Sequence, residues 1–424
     1  MLTRGHPRTL TVPDAPDGPR PPSTLPLTSN RAAALRASYE AGQTVGEQRT
    51  YKYLRKLLSH DRVAYARASP IASPSSMSTA NKTVFLIGPG YIGRAVADLL
   101  SEHGYSVTTL VRREAAAKEL ANDGIKAVFG DLDDKEVIQK QAEASDVVIH
   151  TATADHLPSV EAVLDGIRRR AAHDQRTIYI HTSGASFLSD DSRSAYKSDV
   201  VYSDKKPQAL DARPDSASHR SIDLAIIKAR KELGTKAKVF IVLPPLIYGS
   251  IPKHGRLSIQ IPTMARFALK HRYAGHVGKG QAVWSLVHVS DLARAYMTIL
   301  HWLERSDDST ALEHPYFFCE NGQEMSWGEA AAMIGKSLHA VGKVQDPTPR
   351  EIPEAEWNDL FGPYSAVVVG ANARNRAERV RELGWQPEHT SITDAFEKEE
   401  LPVLLQDTSD FHGYAGAAAS GATN

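Results

Sequence analysis

Gly88-Pro89-Gly90-Tyr91-Ile92-Gly93 fits the pattern G-x-G-x-x-G. Each glycine has its own task in a dinucleotide cradle. The first permits a tight turn after a strand. The second lets the backbone approach a pyrophosphate, and the third lets a helix pack closely on a sheet. The pyrophosphate then meets the positive end of that helix. Tyr91 and Ile92, inside the turn, count with the three glycines as expected cofactor contacts. The pattern alone is weak, but here an apolar run precedes it and a helical pattern follows, which is the context it needs. Arg112 and Arg113 stand 19 and 20 residues after Gly93. An acidic residue at that distance would hold the ribose 2′-hydroxyl of NAD. A guanidinium suits a 2′-phosphate instead, so NADP(H) is favoured over NAD(H). A solvated arginine pair at a helix start is the other reading. Asp131, in "GD" after the third apolar run, is read either as an adenine contact or as the N-cap of the next helix.

The elements that would position these groups alternate. "TVFLIG", "YSVTTLVRR", "IKAVFGD", "SDVVIHTA", "RTIYIHTSG" and "KVFIVLPPLIYG" read as six strands. Helical patterns separate the first five; one ends at the C-cap glycine Gly124. Strands alternating with helices imply an α/β fold, a Rossmann doubly wound parallel sheet. Between the fifth and sixth strands, residues 185–216 read as a loop, and a helix follows from Ser218 to Leu233. Beyond Gly249 the alternation becomes irregular, which suits a smaller C-terminal substrate lobe. The expected organisation is a dinucleotide-binding domain over 81–250, a substrate lobe over 251–405 with elements returning to the first domain, and a flexible tail over 406–424.

Residues 1–80 differ from the rest. They hold 11 Lys and Arg against 5 Asp and Glu, and open on a Pro-, Ser- and Thr-rich run that cannot build a core. A largely disordered N-terminal extension is the plain expectation. A transit peptide over 1–76, which would make the protein mitochondrial, and a start at Met77 are the alternatives; five acidic residues count against the transit peptide. Otherwise the composition points to the cytoplasm. The 50 basic and 50 acidic residues balance, which gives no electrostatic case for nucleic acid. No apolar run reaches the ~20 residues of a membrane span. The single cysteine, Cys319, permits no internal disulfide, and its apolar surroundings read as a buried structural thiol. His271 and His276, five apart around a glycine, lack zinc-ligand spacing, and no metal is expected. The expected partner is a small-molecule substrate; a homodimer stays open.

From Asn81 to about Glu399 the chain resembles the extended and atypical short-chain dehydrogenase/reductases, the superfamily that also holds nucleotide-sugar epimerases. The glycine turn, "VVIHTAT", "IHTSG", "LPPLIYG", "WSLVHVSDLARAY" and "RVRELGWQP" carry the resemblance. It places Thr151, in "VVIHTAT", at the cofactor. It also implies a catalytic set: a Ser after the fifth strand, and a Tyr-x-x-x-Lys on the next helix whose phenol acts as acid or base. Ser183 occupies the Ser position. His181, on the same strand face, is a titrating partner or a core histidine.

The Tyr–Lys pair is where this chain departs. Tyr202 and Lys206 match the letters, but Pro207 follows and the surroundings read as loop. On the helix that should carry the pair, Leu224 stands four before Lys228. The first turn instead holds His219 and Arg220, with Asp223 one turn on. Arg220 is read as taking over the ribose contact of the missing Lys, or as a surface arginine. Tyr248, in "PPLIYG", is a cofactor or substrate contact by resemblance and a packing aromatic otherwise. Trp284 and His288, four apart, are substrate-side candidates with a core pair as the ordinary reading. Asp291 reads as an N-cap-region residue. The resemblance implies an NADP(H)-dependent oxidoreductase acting on a small carbonyl or alcohol, with epimerase chemistry as a variant. The alternative is an NADP(H)-binding redox sensor without turnover.

Overall fold

The structure, a computed structural model, describes residues 82–251 and 253–414. The expectations for residues 1–80 lie outside the described residues. Strands β1 (Thr83–Ile87), β2 (Ser106–Val111), β3 (Lys126–Phe129), β4 (Val147–His150) and β5 (Thr177–Thr182) alternate with helices Tyr91–Glu102, Glu114–Ala121, Lys135–Glu143 and Leu157–Ala172. β6 (Tyr202–Ser203) leaves the sheet, β7 (Ala237–Leu243) returns to it, and β8 (Leu246–Tyr248) leaves again. β9 (Gly275–His276), β10 (Val283–His288), β11 (Tyr316–Phe318), β12 (Glu324–Ser326), β13 (Arg350–Glu351) and β14 (Asn375–Arg376) complete the set.

Seven strands form the expected doubly wound sheet, in the order β11-β7-β5-β4-β1-β2-β3, every neighbour parallel. Its central strands are buried almost throughout, as helices on both faces require. Two details differ from the sequence reading. "KVFIVLPPLIYG" is two strands, because Pro244 and Pro245 offer no N–H to a ladder. β7 ends before them, and β8 pairs with β10 instead. The sheet also gains an edge strand, β11, cut from "YFF" beside β7 and followed by the buried thiol of Cys319.

The second lobe hangs on a three-stranded sheet, β12-β10-β8. The helix Val289–Arg305 runs back from β10 and packs on the helix Tyr91–Glu102. Asp291, in its first turn, accepts from the backbone N–H groups of Glu388 at 3.1 Å and His389 at 2.8 Å. Burial opposes its charge, but these bonds and those from the His389 and Arg294 side chains hold its carboxyl down at about 2. Residues 407–414, expected as flexible tail, pack back: Asp407 pairs with Arg266 at 3.0 Å, and the Tyr414 N–H donates to the Leu360 carbonyl at 2.7 Å. Among the described residues no helix is long and apolar enough to cross a membrane.

The order of the sheet places the topological switch between β1 and β4. Chain after β1 runs outward through β2 and β3; chain after β4 runs the other way through β5 and β7. Ligands of open α/β sheets sit in the crevice at the carboxyl ends of such strands. The glycine turn leaves β1 there. Gly88 has φ +92°, and a Cβ on it would overlap the Ala152 backbone after β4. A Cβ on Gly93 would overlap the Gly88 carbonyl oxygen and the Thr151 hydroxyl. At Gly90 a Cβ would point into open space, with nothing within 4 Å. Gly93→Ala should therefore destabilise the fold by about 3 kcal/mol, the upper part of the usual overpacking range, whereas Gly90→Ala should stay within about 0.5 kcal/mol of wild type. Urea midpoints of the two variants check this; equal losses would remove the distinction.

Candidate active site

Thr151 fastens the glycine turn. Its hydroxyl donates to the Gly88 carbonyl at 2.8 Å, and its N–H to the Ile87 carbonyl at 2.8 Å. The helix Tyr91–Glu102 starts at Gly90 with no side-chain cap and no acid in its first turn. Its first N–H groups therefore face the open side of Gly90 with no capping side chain, which suits an anionic group. Ile92 packs partly buried against the core. Tyr91 reaches across to donate to the Gly249 carbonyl at 2.6 Å. Burial and the nearby Glu400 and Glu399 carboxyls raise its phenol well above the usual value.

Arg112 and Arg113 are exposed at the end of β2. Neither guanidinium has a hydrogen bond or ion pair among the described residues. Asp131 is occupied by its own turn: its carboxylate accepts the Asp133 N–H at 2.8 Å, and its N–H donates to Asp134 at 2.7 Å.

A strap crosses the cradle from the second lobe. The Gly249 N–H donates to Glu400 at 2.8 Å, and the Ser250 N–H to Glu399 at 2.8 Å. Both glutamates lie on one π-helical turn, Phe396–Glu400. Further along, Arg256 donates to the Pro89 carbonyl of the glycine turn. His254 meets Asp98 at 2.6 Å, and Lys253 meets Asp123 at 2.6 Å. Arg94, fully buried on the helix, pairs with Asp98 at 3.3 Å and with Asp123.

Beside the cradle, at the ends of β4 and β5, polar side chains converge. Ser183 Oγ donates to Asp223 Oδ2 at 3.1 Å. Asp223 is fully buried, and its second oxygen has no hydrogen-bond partner. Burial raises its carboxyl to about 7, against the opposing pull of His219, Ser183 and Arg220. His219 Nε2 meets Ser186 Oγ at 2.6 Å, and His219 Nδ1 meets Asp155 Oδ1 at 2.6 Å. Below them His150 and His181 are register partners on β4 and β5, with ring centroids 5.3 Å apart. Burial, then mutual repulsion with neighbouring histidines, pushes His181 well down and His150 to about 3, so both stay neutral. His181 Nδ1 meets the Tyr179 hydroxyl at 3.1 Å, which makes it part of the floor of the site.

The other sequence candidates lie elsewhere. Tyr202 is in β6, its hydroxyl accepting from Arg213 at 3.2 Å. Lys206 precedes the short helix Pro207–Asp211 as its N-cap, so the two letters of the motif share no helix. Arg220 turns inward: it donates to the Asp211 carbonyl at 3.0 Å and to the Tyr316 hydroxyl at 3.3 Å, and lies over the Phe187 ring. That corrects the reading of it as a surface arginine, since only 3% of it is exposed. Tyr248 is buried, donating to the His389 carbonyl at 2.6 Å and accepting from Asn321 at 2.8 Å. Trp284 donates to the Ala371 carbonyl at 2.7 Å. His288 accepts the Ser290 N–H as the cap of its helix and meets Glu399 at 3.0 Å. Those three hold the second lobe together. Sequence reasoning passed over Asp155 and Ser186, which carry no motif. It noted His219 and Asp223 without weighing their four-residue spacing, which equals that of the expected Tyr and Lys. Among the described residues no group of three or more His, Cys, Asp or Glu is arranged to hold a metal ion.

Fold and site define a class, and comparison with known proteins agrees. Residues 84–312 match the model of the NAD dependent epimerase/dehydratase family. The chain belongs to that family, within the extended short-chain dehydrogenase/reductases, whose cofactor is NAD(P). Among its relatives is the oxidase ucsJ of Acremonium sp, 30% identical over 78% of this chain and 98% of that protein. A UDP-glucose 4-epimerase of Corynebacterium glutamicum is 23% identical over 72% of this chain and 90% of its own length. Among solved structures, the yeast methylglyoxal/isovaleraldehyde reductase Gre2 complexed with NADPH aligns over 76% of this chain and 98% of its own, at TM-score 0.52 and 14% identity. A Bacillus anthracis dTDP-glucose 4,6-dehydratase in complex with NAD aligns over 76% of this chain and 96% of its own, at TM-score 0.52 and 14% identity.

The raised carboxyls make stability depend on pH. A folded-state value above the unfolded one contributes stability that is complete below the unfolded value and is lost as pH rises through the folded value. For Asp223 the loss runs from roughly pH 4 up through about 7. Asp223→Asn should flatten the urea midpoint across that window; an unchanged slope would show that Asp223 is ionised in the folded protein.

Proposed function

We propose that this chain is an NADP(H)-dependent oxidoreductase interconverting a small organic carbonyl and its alcohol, with an epimerase-type reaction as a close variant. The observation that carries the reading is the juxtaposition at the β1–β4 switch. An open glycine cradle on one side faces a cluster of hydroxyl, carboxyl and imidazole groups on the other. The relative named an oxidase and the neighbour named a reductase support redox chemistry as the class.

The residues fit the cofactor. The first N–H groups of the helix Tyr91–Glu102 would hold the pyrophosphate beside Gly90, with Thr151 keeping the turn in shape. Arg112 and Arg113 would hold the 2′-phosphate through charge-assisted bonds. When bound, the nicotinamide supplies or accepts a hydride. The protein's own work is to orient a substrate oxygen with Ser183 or Ser186 and to move one proton to or from it. The neutral floor of His150 and His181 places no competing charge under the reacting carbon.

A second reading has its own observation. The helix after β5 lacks the Tyr-x-x-x-Lys pair, which favours a protein that binds NADP(H) without turnover. NADPH consumption across a broad carbonyl panel separates the two: silence with NADPH still bound favours the second.

Arg112→Ala should weaken NADPH binding by roughly 10–100-fold, the loss of one charge-assisted contact, and leave NADH within about 3-fold of wild type by the same arithmetic. Titration calorimetry with both coenzymes checks this. Equal losses for both, or none for either, would overturn the preference for the phosphorylated form.

A further inference from the structure

His219 is placed at some cost. It sits immediately before the helix Arg220–Leu233 with φ 65° and ψ −10°, a left-handed conformation that a histidine seldom adopts. It does not cap the helix with its side chain. Its ring instead spans two partners from separate segments, Asp155 after β4 and Ser186 after β5, at 2.6 Å each. A carboxylate can only accept, so the proton on this side belongs to Nδ1 and the ring presents Nε2 to Ser186. Gly184 keeps that edge clear, since a Cβ there would lie 3.3 Å from Nε2. The site opens outward, with 18% of the His219 side chain and 30% of the Asp155 side chain exposed. One turn along, Asp223 is buried against Ser183.

We propose that His219 is the proton donor and acceptor of this site, acting on the substrate oxygen through Ser186, with Asp155 as its positioning residue and Asp223 orienting Ser183. The inference rests on the oxidoreductase reading. In the reducing direction the carbonyl carbon gains a hydride from reduced nicotinamide. Starting from the ring protonated on both nitrogens, the carbonyl oxygen takes the Ser186 hydroxyl proton as Ser186 takes the Nε2 proton. Alcohol and oxidised nicotinamide leave. The neutral imidazole keeps Nδ1–H on Asp155 and regains its other proton from water. His219, immediately before the helix, and Asp223, in its first turn, keep the i and i+4 spacing of the expected phenol and amine. An imidazole replaces the phenol, and a carboxyl replaces the amine.

The same line of Ser, His and Asp could instead activate Ser186 as a nucleophile for acyl transfer. The test separates these roles. Full-length protein labelled with nitrogen-15 in histidine is titrated by NMR with and without NADP+. The His219 signals are identified by their loss in H219Q. The expected result is a neutral form protonated on Nδ1, and a shift of that tautomer toward Nε2–H in D155N. A neutral form protonated on Nε2, or a tautomer that D155N leaves unchanged, overturns the assignment of Asp155 and the proposal with it. With isovaleraldehyde and NADPH, H219Q should lose roughly 10²–10⁴-fold in kcat, while its NADPH affinity stays within about 3-fold of wild type. Labelling of Ser186 by a fluorophosphonate would also overturn it, by making Ser186 the reacting atom. Failure of wild type to bind NADPH would sink the oxidoreductase reading, and the NMR titration would still judge the Asp155–His219 pair.

Discussion

The bond from the Thr151 hydroxyl to the Gly88 carbonyl joins two segments that the chain separates by more than sixty residues, and the geometry of the site follows from it. It closes the turn after β1 onto the segment after β4, across the point where the order of the sheet reverses. With that contact made, Gly88 has no room for a side chain and Gly93 has none either. The helix must then start at Gly90 with its N–H groups facing outward. Four residues beyond Thr151 the same segment delivers Asp155, so the cradle and the proton-handling cluster share one anchor.

The interior beneath the site is polar, and burial opposes charge there. His150, His181 and Asp223 are fully buried, and burial is the largest influence on each. Moving a charge into such surroundings costs more than leaving the group neutral. The ionisable groups open to solvent stand at the rim: Asp155 and His219 on one side of the switch, Arg112 and Arg113 on the other. Arg220 shows the same rule from the other direction. It enters the interior only because Asp211, Tyr316 and the Phe187 ring receive it.

A strap of backbone couples the second lobe to the cradle. Glu399 and Glu400 hold the backbone of Gly249 and Ser250, Tyr91 holds the Gly249 carbonyl, and Arg256 reaches Pro89. Burial raises the Glu400 carboxyl to about 8, with the Gly249 N–H opposing and Glu399 adding to it. The aromatic and histidine side chains of β8 and β10 serve this scaffold. Tyr248 and Trp284 donate to carbonyls of the closing segments, and His288 bridges its own helix and Glu399.

The sequence by itself determined the fold class and the cradle, because both rest on local rules. Alternating strand and helix patterns specify a parallel sheet, and three glycines after a strand specify a backbone approach that no other residue permits. It also determined that no helical phenol stands beside Ser183. Tertiary structure alone decided what replaces that phenol. Asp155 and Ser186 carry no motif and lie 31 residues apart, and only the neighbouring positions of β4 and β5 bring both to His219. It decided likewise that Tyr202 joins β14 and that Arg220 turns inward. A motif fixes which groups are one turn apart on a helix; which groups from separate strands meet at a ring nitrogen depends on the register of the sheet between them.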